Sequence, residues 1–277
     1  MRIDLHSHSS ASDGTDPPAE VMRRARAAGL DVIALTDHDT LAGQDEARAA
    51  LPPGLTLVTG MELSSRLDGH SVHLLSYLPH RMSAELAAET QAIRDDRRRR
   101  GQDMVARLRD LGVDVSWEQV AALAGGGSVG RPHIARAMAA AGAIGTAAEA
   151  FTDEWIGAGG RAYVSRYALP PARAVALVRG SGGAVVLAHP GAVSRGWRIP
   201  DDAIADLAGA GLAGLEVDHP DHDEAERARL RALAAGLRLL TTGGSDDHGG
   251  LTGHRLGAET TTPEAFGQLM AGCELSG

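Results

Sequence analysis

The chain has 277 residues, 43% hydrophobic and 23% charged, which is the balance of a globular protein able to bury a sizeable core and not of a disordered one. Its one cysteine, Cys273, excludes a disulfide framework and a thiolate metal cluster. The net charge of −9 argues against a general affinity for nucleic-acid backbone, and all 27 basic residues are arginine, so Schiff-base chemistry, a Walker A loop and a carbamylated-lysine metal bridge lack their lysine.

Met1 leads straight into Ile3-Asp4-Leu5, without a cationic leader or an apolar signal core. No stretch approaches the roughly 18 to 20 apolar residues that span a bilayer, so a soluble, cytoplasmic protein without membrane contact is expected. Short apolar, β-branched runs at 2–5, 31–36, 55–63, 71–77, 184–188, 214–217 and 237–242 read as strands. Helical patterns lie between many of them, at 17–28, 41–50, 171–179, 201–210 and 223–235. Strands alternating with helices imply βα units and a parallel sheet, and about seven such units favour a closed α/β barrel. The alternation breaks over residues 83–166. There the patterns are helical at 84–111, 117–123, 132–141 and 146–156, with glycine joints at 125–127 and 157–160. The expected organisation is a barrel in two parts, 1–82 and 167–277, around a small helical insertion at 83–166.

The chemistry concentrates where strands give out. His6 and His8 are two apart on the first strand and project to one face, with Asp13 on the loop that follows. Asp37-His38-Asp39 ends the second strand, Gly60-Met61-Glu62 the third, and His73 lies on the fourth. Ala188-His189-Pro190 and Ser245-Asp246-Asp247-His248 end later ones. A lone His-x-His is as readily a pair of exposed turn residues. Ligand-type residues recurring at strand after strand are not, because the C-terminal rim is where α/β barrels build their sites.

This run of motifs resembles the polymerase-and-histidinol-phosphatase (PHP) superfamily over almost the whole chain. It is most similar to the TrpH-like phosphoesterases, through Gly130-Arg131-Pro132-His133-Ile134-Ala135 and Ala188-His189-Pro190. The resemblance implies a distorted (β/α)7 TIM-like barrel with a trinuclear metal site. Its first ion would take His6, His8, Glu62 and Asp246; the second would share Glu62 and take His73 and His189; the third would take Asp13, His38 and His248. It also implies a metal-dependent phosphoric ester hydrolase, with Glu62 and His189 as the catalytic pair and a hydroxide bridging two ions as nucleophile. Either His189 or a metal-bound water could protonate the leaving group.

Imidazole nitrogen mixed with carboxylate oxygen, and no sulfur, suits Mn2+, Zn2+ or Fe2+. Asp37 and Asp39 are expected to support ligands and not to be ligands themselves, and Asp247 to be a solvated turn residue. Arg131 and His133, at the start of a helix, are candidate substrate contacts, against the plainer reading of an exposed first turn. Arg97–Arg100 reads as a solvated charged face, with Arg97 on the inward stripe. His219 could line the pocket or be an idle rim residue; His70, His80 and His254 read as surface.

The substrate implied is a small phosphomonoester, most readily a nucleotide: a nucleoside 3′,5′-bisphosphate losing its 3′-phosphate, or short RNA trimmed from its 5′-phosphate end. No stable protein partner is implied. A histidinol-phosphate-type phosphatase, an amidohydrolase and a metal-binding regulatory module are the competing readings.

Overall fold

The computed structural model describes residues 1–78, 82–125, 129–192 and 197–274; His80 and the joint residues 126–127 lie outside them. Seven strands follow one another around the sheet in chain order: β1 (Ile3–Asp4), β2 (Val32–Leu35), β3 (Thr56–Leu67), β4 (His70–Tyr77), β5 (Ala184–Leu187), β6 (Gly214–Asp218) and β7 (Leu240–Gly243). The helices α1 (Pro18–Ala27), α2 (Gln44–Ala49), α6 (Pro171–Gly180), α7 (Asp201–Gly209) and α8 (Glu224–Leu237) lie between strands, as the alternation predicts. Helices α3 (Ala84–Asp110), α4 (Trp117–Leu123) and α5 (Arg131–Ala140) interrupt it, and α9 (Pro263–Glu274), which periodicity did not reveal, ends the described chain.

Side-chain alternation sorts the strands onto two faces. Val32 and Ala34 join Ile3, Leu5, Val58, Leu75, Tyr77 and Val186 in an inner cluster that α9 closes with Leu269 and Cys273. Their neighbours Ile33 and Leu35 pack outward on Val21, Met22 and Ala25 of α1 and Ala47 of α2. Strands covered on both faces read as the unbroken apolar runs found in the sequence. Helix α3 serves two cores. Leu86 and Ile93 pack with β3, β4 and α6, whereas Met104, Val105 and Leu108 pack with Val120, Ile134 and Met138.

Two expectations are overturned. The sheet is not wholly parallel: β4 runs antiparallel to both β3 and β5. The cause is the pair Asp68-Gly69, which joins Leu67 to its partner His70 with positive φ at both residues (47° and 86°). That is the backbone of a two-residue hairpin turn, and Asp-Gly is among its strongest signals. The hairpin also extends β3 to Leu67, so Glu62 stands inside a strand and not at its end. The second concerns residues 146–156, where only a 3-10 turn (Ala147–Ala150) forms. Phe151 leaves helical geometry and the chain folds back, with Ile156 N–H donating to Ala150 O and Gly157 N–H to Thr152 O, both at 2.9 Å. A Cβ on Gly157 would lie 2.5 Å from that same Thr152 oxygen, so only glycine permits the return.

The barrel closes across a seam of side chains and loops. Thr261 donates its N–H to Ile3 O and exchanges two hydrogen bonds with Gly243, each at 2.8 Å. Beyond it, Asp246 N–H donates to His6 O and His8 N–H to Asp247 O. The carboxylate of Asp4, fully buried, accepts from the backbone of His6 (3.2 Å), Ser245 (2.9 Å) and Gly257 (2.8 Å). Asp4→Ala would strand three buried amides, each costing about 1–3 kcal/mol, so a loss of roughly 3–5 kcal/mol is expected by urea unfolding of metal-free protein. A loss below about 1 kcal/mol would show that the seam does not depend on this carboxylate.

Candidate metal centre

Glu62 is the hub. Its side chain is 1% exposed, and imidazole nitrogens surround it. His73 Nδ1 lies 2.7 Å and His189 Nε2 2.9 Å from Oε1; His38 Nδ1 lies 3.0 Å, His8 Nε2 3.4 Å and His6 Nε2 3.7 Å from Oε2. On one side, His6 Nε2 and His8 Nε2 are 3.1 Å apart, and each stands 3.2 Å from Asp246 Oδ1. On the other, Asp13 lies 3.3 Å from His248 Nε2, 3.6 Å from His38 Nε2 and 3.8 Å from His8 Nδ1. All nine side chains expected as ligands therefore meet in one place, delivered by β1, β2, β3, β4, β5, β7 and the loops after them.

The arrangement fits divalent cations on three observations. The separations are those of donors sharing an ion, since bonds of about 2.1 Å at tetrahedral angles set donor atoms about 3.4 Å apart. Nε2 of His6 faces Nε2 of His8, an arrangement two lone pairs would resist without a cation or a proton between them. Finally, Nδ1 of His8 is buried without a hydrogen bond, which in a polar pocket calls for a ligand.

Electrostatics point the same way. Burial alone would raise the Glu62 and Asp246 carboxyls, yet the surrounding imidazoles hold both well below the usual range, and Asp13 likewise. Burial would lower His6, but Glu216, Asp246 and Glu62 hold it well above an ordinary histidine. His248 is pushed up to about 10 by Asp246 and Asp13 against its burial. His8 goes the other way, to about 4, through burial and the neighbouring His248 and His38. Without a cation, protons on some histidines must balance the buried carboxylates.

Supporting residues fix the ligands. Asp37 accepts from Ser9 N–H and from the hydroxyls of Ser9 and Ser12 at 2.7–2.8 Å. Asp39, at φ 55°, accepts from the backbone and hydroxyl of Ser64 and from Arg97. Asp247 corrects the expectation of a solvated turn: it is 1% exposed and accepts from Gly249 N–H, Arg255 N–H and Thr252 Oγ1. His189 at φ 31° and Asp246 at φ 48° occupy left-handed backbone that side chains resist, strain that the surrounding packing holds in place.

Glu216 has no place in the expected ligand set. It is fully buried on β6, its Oε1 2.9 Å from His6 Nδ1 and its Oε2 accepting from His189 N–H at 2.8 Å. The first bond keeps the proton on Nδ1 and turns the Nε2 lone pair inward. The available signal was an acid at the centre of a strand, where the face alternation of Leu215 and Val217 sends it inward. His219 is fully buried 3.4 Å from Asp246 Oδ2, outside the cavity lining. His222 is structural, with Nε2 accepting from Gly191 N–H and Nδ1 bonded to Val217 O. His70 and His254 are exposed, as expected.

A cavity of about 460 Å3 opens over the centre, lined by Asp13, His38, Glu62, His73, Asp246 and His248 together with Arg66, Arg97, Arg100, Arg131 and Arg166. Arg97 is held by Asp39 and Ser64, Arg100 by Val164 O, and Arg166 by Ser65 O and Ser71. The run Arg97–Arg100 is therefore split: two members face the cavity and Arg98 and Arg99 face solvent. Burial and mutual repulsion lower Arg100 and Arg166 to about 10, the mark of positive charge short of anions. Arg131 lines the cavity with its guanidinium over the Phe151 ring. His133 is buried, and its Nδ1 accepts from Gly130 N–H at 3.0 Å, a helix-capping duty that the sequence did not disclose. Among the described residues no helix is long and apolar enough to cross a membrane.

The description "PHP domain" matches residues 4–114. The chain is 32% identical to a 5′-3′ exoribonuclease of Haemophilus influenzae over 89% of its own length and 90% of the relative's. It is 33% identical to a 3′,5′-nucleoside bisphosphate phosphatase of Chromobacterium violaceum, covering 89% and 87%. A solved structure from Bifidobacterium adolescentis, described as a metal-dependent phosphoesterase, superposes with a TM-score of 0.91 at 34% identity, over 98% of this chain and 96% of that one.

Two outcomes are expected at the centre. Glu216→Gln should stay folded but bind divalent metal some 10- to 100-fold more weakly, by metal analysis after dialysis, because His6 loses its anionic partner. Unchanged affinity would remove Glu216 from the centre. Metal and protons compete for the same nitrogens, and His6, His38 and His248 are all raised. Metal binding near pH 7 should therefore release protons and weaken as pH falls, which calorimetry in buffers of different ionisation enthalpy detects.

Proposed function

The chain belongs to the PHP family of metal-dependent phosphoesterases, and from that premise we propose that its substrate is a nucleotide with two phosphates, one set at the ion centre and the other among the arginines. It is a phosphoric ester hydrolase that binds divalent metal. The proposed reaction is release of the 3′-phosphate from a nucleoside 3′,5′-bisphosphate, or removal of 5′-terminal nucleotides from short RNA. Both relatives act on substrates of this kind by name.

We assign the nine converging side chains to three divalent ions. The first is held by His6, His8, Glu62 and Asp246, the second by Glu62, His73 and His189, and the third by Asp13, His38 and His248. An oxygen- and nitrogen-only donor set supports manganese, zinc or iron. Divalent ions bound there would lower the pKa of a water toward roughly 7 and neutralise charge on the phosphate oxygens. The protein's own part is orientation. Glu62 joins the two halves of the centre, Glu216 turns His6 inward, and Asp37 and Asp39 brace the loops that carry Asp13 and His38. Arg97, Arg100, Arg131 and Arg166 bind the second phosphate in bonds between fixed opposite charges. His133 supports Arg131 by capping its helix.

The observation that carries this reading is the pairing, in one cavity, of a carboxylate–imidazole centre with five arginines in a chain of net charge −9. The same pairing disfavours histidinol phosphate, whose ammonium group would face those arginines.

The reading is tested by phosphate release across nucleoside 3′,5′-bisphosphates, nucleoside 3′-monophosphates, short 5′-phosphorylated RNA and histidinol phosphate. The bisphosphate or RNA should be preferred; release from histidinol phosphate alone would overturn the assignment. Arg100→Ala should raise KM for the bisphosphate roughly 10- to 100-fold, the worth of one charged hydrogen bond, and leave the 3′-monophosphate unchanged. Glu62→Gln should strip metal and abolish turnover; full metal content with full activity would refute the bridge.

A further inference from the structure

Phe151 occupies an unusual position. Aromatic residues make up only 3% of the chain, and two of them, Phe151 and Tyr163, line the cavity that holds the arginines. Phe151 is 43% exposed although Ala150, the residue before it, is fully buried, and it joins none of the apolar clusters of the described residues. A ring kept for packing would have followed Ala150 inward, because its exposure forfeits the free energy that burial supplies.

The backbone around the ring is anchored. It sits where the 3-10 turn ends, and the chain on its far side is tied back by the Ile156–Ala150 and Gly157–Thr152 hydrogen bonds. The Arg131 guanidinium lies 5.6 Å from its centroid, over the ring. A flat, partly open aromatic beside a row of cations is the pairing that single-stranded nucleic-acid sites use, with cations for phosphates and a ring for the base.

We propose that Phe151 is the stacking platform for the nucleobase of the substrate, the base extending the Arg131–Phe151 column. The inference builds on the nucleotide reading above and adds what that reading lacks, a contact to the base. Stacking is indifferent to base identity, since every base offers a π-face. The protein would therefore distinguish nucleotides from other phosphate esters without selecting among the four bases.

The test measures equilibrium binding and needs no turnover. Calorimetry on metal-loaded protein compares adenosine 5′-monophosphate with ribose 5-phosphate, which has the same phosphate and sugar without the base. Wild type should bind the nucleotide more tightly. Phe151→Ala should lose roughly five- to a hundredfold for the nucleotide and nothing for ribose 5-phosphate. Phe151→Trp should restore nucleotide binding, with quenching of the new indole by the nucleotide and not by ribose 5-phosphate. Phe151→Leu, apolar but without a π-face, should behave like the alanine variant.

Equal affinity of wild type for the two ligands, equal losses on both in Phe151→Ala, or full nucleotide affinity in Phe151→Leu would each overturn the proposal. Failure of the phosphoesterase reading shows elsewhere, as absence of phosphate release from wild type, and leaves this binding comparison intact.

Discussion

A carboxylate buried among five imidazoles needs a counter-charge, and that requirement organises this molecule. Glu62 is all but sealed from water, so its charge is balanced by what the fold brings to it and not by solvent. His6, His8, His38, His73 and His189 come from separate strands and loops, which couples the arrangement of the rim to the integrity of the barrel. Protons can supply the balance, as the raised histidines indicate, but two facing Nε2 atoms and the unbonded Nδ1 of His8 are better met by cations.

The seam between the first and last strands is where this coupling is most exposed. Asp246 and His8 are hydrogen-bonded across it through their own backbones, so two of the converging residues form part of the closure. Asp4, just inside, holds three amides and orders the same segment. The left-handed backbone at Asp39, His189 and Asp246 fits a rim whose geometry is imposed from several directions at once.

Two chemically distinct sets of side chains line the cavity. One gathers carboxylates and imidazoles; the other gathers five arginines, of which Arg97 is already paired with Asp39. Arg97 and Arg100 come from α3, Arg131 from α5, Arg66 from β3, and Arg166 from the chain leading back to the barrel. The helical segment thus supplies much of the second set, and the barrel nearly all of the first. A substrate with two phosphates suits both.

Much of this was legible in the residues themselves. Apolar runs marked the seven strands, because strands covered on both faces carry no polar alternation. Histidines and acids recurring where those runs stop marked the side chains that converge on Glu62, because a rim needs polar donors at the edge of an apolar wall. Asp68-Gly69 marked a hairpin that reading by alternation passed over. Tertiary structure alone decided the rest. Glu216 and Asp247 became buried partners, and not surface acids, because residues distant in the chain surround them. Arg97 and Arg100 were separated from Arg98 and Arg99 by the side of α3 that meets the barrel. Phe151 was left open because a glycine-permitted return, and no helix, follows it. Spacing along a chain encodes which face a residue takes, but what stands opposite that face is fixed only when distant segments pack.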